Sequence, residues 1–127
     1  MATVSGGYKI GSAVNIQYSQ AVGNASTRYD IIYTVPADSY LLCYITGTAT
    51  ANTTDGSQTS RSWSNIGSYQ WVSVYDPFGG GATSNTTTYQ QLAIGPGTVI
   101  DSFMASTDFG GSASVSVTII GTLFKNS

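Results

Sequence analysis

The segment Tyr40–Ile45, YLLCYI, carries no strongly polar side chain on either face of an extended strand. A strand with one face in water should alternate apolar and polar residues. Tyr40, Leu42 and Tyr44 point one way, and Leu41, Cys43 and Ile45 point the other. One set belongs to a core, and the other needs a second cover.

The rest of the chain repeats the period-two signal in short pieces. AVNIQY (Ala13–Tyr18) alternates, and YDIIYTV (Tyr29–Val35) is rich in β-branched and aromatic residues. Pro36 ends that run, because proline cannot donate to a ladder. In Tyr69–Asp76, alternation places Tyr69, Trp71, Ser73 and Tyr75 on one face, with Val72 and Val74 on the other. TTTYQQLAI and TVIDSFMAS flank a Gly-Pro-Gly turn at Gly95–Gly97. ASVSVTIIGTLF (Ala113–Phe124) puts Val115, Val117, Ile119 and Leu123 opposite Ser114, Ser116, Thr118 and Thr122, with Ile120 and Phe124 breaking the polar side. No stretch repeats at 3.6 residues. Seven or eight strands separated by Gly, Pro, Asn and Asp turns predict an all-β, single-domain antiparallel β-sandwich, jelly-roll-like in form. Residues 1–12 are assigned as an N-terminal arm or edge segment, and 13–127 as the sandwich. Ala51–Ser68 and Pro77–Asn85 are expected to be long polar connections gathered at the ends, where binding usually occurs.

At 127 residues the chain is long enough for one core without disulfides or metals. Only 8% of it is charged, the net charge is −2, and polarity comes from 18 Ser and 17 Thr. That balance would not neutralise a phosphate backbone, so no nucleic-acid partner is expected. No apolar run reaches the roughly 20 residues of a membrane span, and MATVSGGYK lacks the regions of a signal peptide. The protein has no His, so neither a Ser-His-Asp nor a Cys-His arrangement can be built. The six acids are all Asp, mostly at apparent strand ends or turns, where Asp caps the chain. Cys43 sits alone in an apolar run and reads as a buried thiol. A non-enzymatic protein without metal or cofactor is the expectation. Asn24, Asn52 and Asn85 open glycosylation sequons, a pattern that this Ser/Thr content produces by chance.

Arg61, Trp63 and Asn65 form a candidate glycan or partner contact, since an indole beside amides can stack on a pyranose ring. The competing assignment, and the preferred one, folds Trp63 back to plug the end of the sandwich. Trp71 is expected to pack against a sheet.

The second cover for Tyr40, Leu42 and Tyr44, together with Ile120 and Phe124, is expected to be another copy of the chain. An apolar patch of this kind on a soluble protein marks an interaction surface, and low charge with abundant Tyr suits subunit contact.

Three segments resemble small structural proteins of tailed bacteriophages. They are YTVPADSYLLCYITG (Tyr33–Gly47), LAIGPGTVI (Leu92–Ile100) and SVSVTIIGTLFKNS (Ser114–Ser127), which together cover about three-tenths of the chain. The resemblance implies a trimeric jelly-roll virion protein on the outer surface of the particle: a head-decoration (cement) protein, a fibre, or a receptor-binding tip that contacts a host glycan. A chain that begins at Met1 with no second domain would attach through its own surface. That favours a homotrimer clamping major capsid protein subunits, with Met1–Ile10 and one set of end loops as the attachment elements.

Overall fold

The computed structural model describes residues 8–23 and 25–126. Eight strands run in chain order: β1 (Tyr8–Gly23), β2 (Thr27–Thr34), β3 (Ser39–Thr53), β4 (Thr59–Ile66), β5 (Tyr69–Pro77), β6 (Gly81–Ile94), β7 (Val99–Ser106) and β8 (Ser112–Asn126). They form two four-stranded sheets, β1-β8-β3-β6 and β2-β7-β4-β5. Every pairing is antiparallel. The pairs β1·β8, β2·β7, β3·β6 and β4·β5 are those of one long hairpin folded at β4–β5. Pairs β3·β8 and β4·β7 wind that hairpin into two sheets. This is the winding of a jelly roll.

Several local expectations change. The stretch expected as a long connection, Ala51–Ser68, holds the end of β3 and all of β4. Its alternation is Ser60-Arg61-Ser62-Trp63-Ser64-Asn65, with serine on the buried face, so a polarity count hides it. In Pro77–Asn85 only Phe78–Gly80 lies between strands, because β6 starts at Gly81. There Phe78, Gly79 and Gly81 have positive φ, which lets the backbone N–H groups of Gly79 and Gly80 point at Thr53 Oγ1, 3.0 and 3.1 Å away. Residues 8–12 open β1, an edge strand, and its ladder shifts register between Ile10 and Ala13. The rest of the Met1–Ile10 segment and the Asn24 sequon lie outside the described residues.

The core changes character along its length. At one end Leu41, Ile45, Ile94, Ile100 and Val35 fill it with large side chains. At the other, Ala49, Ala51 and Ala113 face Ser60, Ser62 and Ser106, all of them buried. These small residues let the sheets approach. Ser62 Oγ donates to the Thr50 carbonyl at 3.0 Å, and Ser60 Oγ lies 2.9 Å from the Asn52 carbonyl. Each buried hydroxyl thereby finds an acceptor, and an unmet one would cost about 1–3 kcal/mol. Cys43 is buried, and burial pushes its thiol pKa up to about 11, so it stays protonated.

Two aspartates close the small end. Asp76 Oδ2 accepts from Thr53 N and Oγ1 at 2.8 and 3.1 Å. Asp108 Oδ2 accepts from Thr54 N, Asp55 N and Thr54 Oγ1 at 2.7, 3.1 and 3.2 Å, and its Oδ1 accepts from Gly110 N at 2.9 Å. Those donors hold the Asp108 carboxyl below the usual carboxylate range, the Thr54 N–H first among them.

Candidate functional site

The two tryptophans occupy opposite sides of the second sheet. In the β4·β5 ladder Ser64 faces Val72 and Asn65 faces Gln70, which leaves Trp71 as the extra residue of a bulge. The bulge turns Trp71 inward. It does not share an outer face with Ser73 and Tyr75, as strict alternation predicted; Tyr75 remains exposed while Trp71 is 4% exposed. Its ring covers Gly47 of β3, where an added Cβ would collide with the indole. Its Nε1 donates to Ser64 Oγ at 2.8 Å. Trp71 is therefore the aromatic that fills the sandwich.

Trp63 does not plug an end, contrary to the preferred expectation. It stands on the outer face of β4, half-buried, between its cross-strand neighbours Phe103 of β7 and Ser73 of β5. The Trp63 and Phe103 rings stack with centroids 4.5 Å apart and planes 24° apart. Arg61, two residues earlier on the same face, places its guanidinium carbon 5.6 Å from the indole centroid and 5.7 Å from the Phe103 centroid. Asn65 completes the row. Its Nδ2 donates to Asp101 Oδ1 at 3.0 Å, and Tyr29 Oη donates to Asp101 Oδ2 at 2.8 Å. That bond raises the Tyr29 pKa.

Phe103 covers one side of the indole. On the other, toward β5, lies an open groove of about 420 Å³ lined by Arg61, Trp63, Gln70, Ser73, Val74, Tyr75 and Asn85. Small Ser73 opposite bulky Trp63 leaves the gap. Asn85 comes from β6 of the other sheet and is pinned by its Nδ2 donating to the Ser73 carbonyl at 2.7 Å. The predicted trio thus sits on one face, but Asn65 is spent on Asp101 and only Arg61 and Trp63 border the groove. Gln70, Ser73, Tyr75, Asn85 and the backing ring Phe103 escaped the sequence reading. Tyr75 follows from alternation in β5, whereas Phe103 and Asn85 reach Trp63 only through ladder pairing and sheet packing.

The outer face of the first sheet is different. Tyr40 stacks on Phe124 with centroids 5.1 Å apart and planes 13° apart, and Tyr44 faces Ile120 across the same pair of strands. Tyr40, Leu42, Tyr44 and Phe124 are half-buried by one another, while Ile120 is 49% exposed. A shallow groove of about 390 Å³ runs over Leu42, Tyr44, Ile120, Gln90 and Gln91. All five predicted contact residues therefore share this face. Beyond Tyr44 it turns to hydroxyls: Thr46 and Thr48 pair with Thr88 and Thr86 at 2.7 and 2.8 Å.

Among the described residues, no group of three or more His, Cys, Asp or Glu side chains could hold a metal ion, and no helix is long and apolar enough to cross a membrane. The Asp residues clasp loops or pair locally, and none lines the groove beside Trp63.

No protein-family model matches the chain, and no curated protein matches it. Among solved structures it is similar to the C-terminal CBM6 of LamC, a marine laminarinase from Zobellia galactanivorans, at 18% identity and TM-score 0.39, covering 84% of this chain and 99% of that one. It is also similar to the CBM36-1 domain of a multidomain xylanase from the hindgut metagenome of Trinervitermes trinervoides, at 17% identity and TM-score 0.37, covering 87% and 97%. A structure of the Gx strain of infectious bursal disease virus is similar at 13% identity and TM-score 0.30, covering 94% of this chain and 32% of that one. Likenesses at these scores carry no inference about function.

Proposed function

We propose that this chain is a non-catalytic carbohydrate-binding domain whose ligand lies in the groove beside Trp63. One observation carries the reading: a half-buried indole, backed by Phe103, walls an open groove whose other lining groups are an amide pair, hydroxyls, a guanidinium and Val74. A pyranose ring presents C–H groups on its flat faces and hydroxyls around its rim. The indole face suits the first, and Gln70, Ser73, Tyr75 and Asn85 suit the second. The groove volume falls within the range of small-ligand sites, about 300–1,000 Å³. Backing by Phe103 holds the indole upright before the sugar arrives, so little side-chain freedom is lost on binding.

The test is a glycan array probed with the wild type and with Trp63→Ala. The expected result is a defined set of sugars bound by the first and lost, by roughly tenfold or more, by the second. Equal binding by both proteins would place the ligand elsewhere. No sugar bound by the wild type would remove the reading.

The apolar strip Tyr40, Leu42, Tyr44, Ile120 and Phe124 favours contact with further copies of the chain, and the resemblance to small tailed-phage structural proteins would make that assembly a virion subunit. In that role the strip meets further copies of the chain in a homotrimer, and the domain sits on the outer surface of a particle as a receptor-binding tip or as a decoration protein on the capsid. The strip and the groove lie on opposite sheets, so both contacts fit one molecule. Saturable binding to undecorated capsids, without glycan binding, would favour the decoration role.

A further inference from the structure

We infer that the ligand of the Trp63 groove is an acidic sugar, whose carboxylate is received by Arg61. This deepens the carbohydrate reading and rests on it. Two of the other basic side chains have acidic partners: Arg28 Nε lies 2.7 Å from Asp30 Oδ2, and Lys125 Nζ lies 3.5 Å from Asp38 Oδ2. Arg61 has no carboxylate partner among the described residues. It is held by rings instead, between 5 and 6 Å from the Trp63 and Phe103 centroids. The one acid near this row, Asp101, is engaged by the Asn65 side chain and the Tyr29 hydroxyl. No carboxylate lines the groove, so its one charged side chain is a cation.

A guanidinium has five N–H donors in a planar fork, and ring contacts satisfy none of them. The natural complement is a planar oxyanion that accepts two parallel bonds. Arg61 precedes Trp63 by two residues on the same strand face, and its guanidinium carbon lies 5.6 Å from the indole centroid. One pyranose stacked on the indole can therefore present an exocyclic carboxylate to the guanidinium. A neutral sugar would leave the fork facing water, and a cationic one would be repelled.

Isothermal titration with matched oligosaccharides tests this, using one set that carries uronic or sialic acid, its neutral counterpart, and a sulfated counterpart. The proteins are the wild type, Arg61→Gln, Arg61→Lys and Trp63→Ala, each first shown to be folded by circular dichroism. The expected result is wild-type preference for the carboxylated sugar of roughly tenfold, weakened by salt. Arg61→Gln should abolish that preference, with a smaller loss for the neutral sugar than for the carboxylated one. Arg61→Lys should keep only part of it, because an ammonium makes no fork. Trp63→Ala should lose both sugars. Equal affinity for carboxylated and neutral sugars in the wild type would overturn the acidic assignment and leave the carbohydrate reading standing. Preference for the sulfated form alone would overturn the carboxylate. No binding to any member, alongside a negative array, would overturn the carbohydrate reading and this inference together.

Discussion

The two outer faces of this sandwich are built on the same four-strand scaffold and prepared for different work. On the first sheet, outward hydroxyls satisfy each other across the ladder: Thr46 with Thr88, Thr48 with Thr86, Ser19 with Ser116, and Thr118 donating to Gln17. What remains is a shallow apolar groove, closed at one end by the Tyr40–Phe124 stack. On the second sheet the outward row is aromatic and cationic. Rings stand upright in a stack, and a small residue beside them opens a groove. A sheet of uniform small polar residues spends its bonding capacity within itself. One that mixes large and small neighbours creates relief and leaves donors for a ligand.

The largest effect separates the two tryptophans. Trp71→Ala should cost about 3–5 kcal/mol, because it empties the space over Gly47 and removes the indole N–H that Ser64 Oγ accepts. Trp63→Ala should cost only about 1 kcal/mol, the worth of an aromatic pair on a surface. Urea titration of both proteins measures the contrast, and similar losses would mean that the stacked face supports the fold as much as the core does.

A charge on the first sheet comes next. If copies of the chain cover the apolar strip, Tyr44→Asp should weaken assembly by about 2 kcal/mol or more while the groove keeps its sugar affinity. Sedimentation velocity reads the first and calorimetry the second. A wild type that sediments as a monomer at micromolar concentration would end the assembly reading.

Acid should loosen the clasp between the sheets. The folded-state pKa of Asp108 is depressed, so its stabilisation is present above the ordinary carboxylate pKa of about 4 and is lost as pH falls through the lower folded value. Asp30, depressed chiefly by the Tyr18 hydroxyl and then by Arg28, has the same sign. Thermal melts from pH 6 down to pH 2 should show this loss, and Asp108→Asn should flatten part of it. A wild-type melting temperature unchanged at pH 2 would contradict the assignment.

The smallest effect belongs to the hydroxyl pairs. Replacing Thr48 and Thr86 together by Val should change stability by no more than about 0.5 kcal/mol, since both partners of one exposed bond disappear and the shape is kept. A larger loss, read by urea titration, would show that the ladder of hydroxyls holds the first sheet together.

Much of this molecule is written in period two. The apolar faces of Tyr40–Ile45 and Ala113–Phe124, with Pro36 and the Gly95–Gly97 turn as stops, already require strands in two layers, because no helical stripe can be drawn through them. The core side of β3 and β8 and the burial of Cys43 follow from the same count. Other features resist it. β4 looked like a loop because its inward residues are serines, and serine is tolerated there only because Asn52, Thr50 and Asp101 carbonyls stand within reach on neighbouring strands. Trp71 changed face because one unpaired residue in the β4·β5 ladder reverses the alternation locally. The groove depends on Phe103 and Asn85, which lie 40 and 22 residues from Trp63 in the chain and meet it only through the ladder and the packing of the two sheets. Local alternation determines which residues share a face, since it follows from the geometry of one extended backbone. Which strands lie side by side, where a bulge falls, and therefore which side chains become neighbours were decided by long-range hydrogen-bonded pairing and packing, which exist only once the whole sandwich has closed.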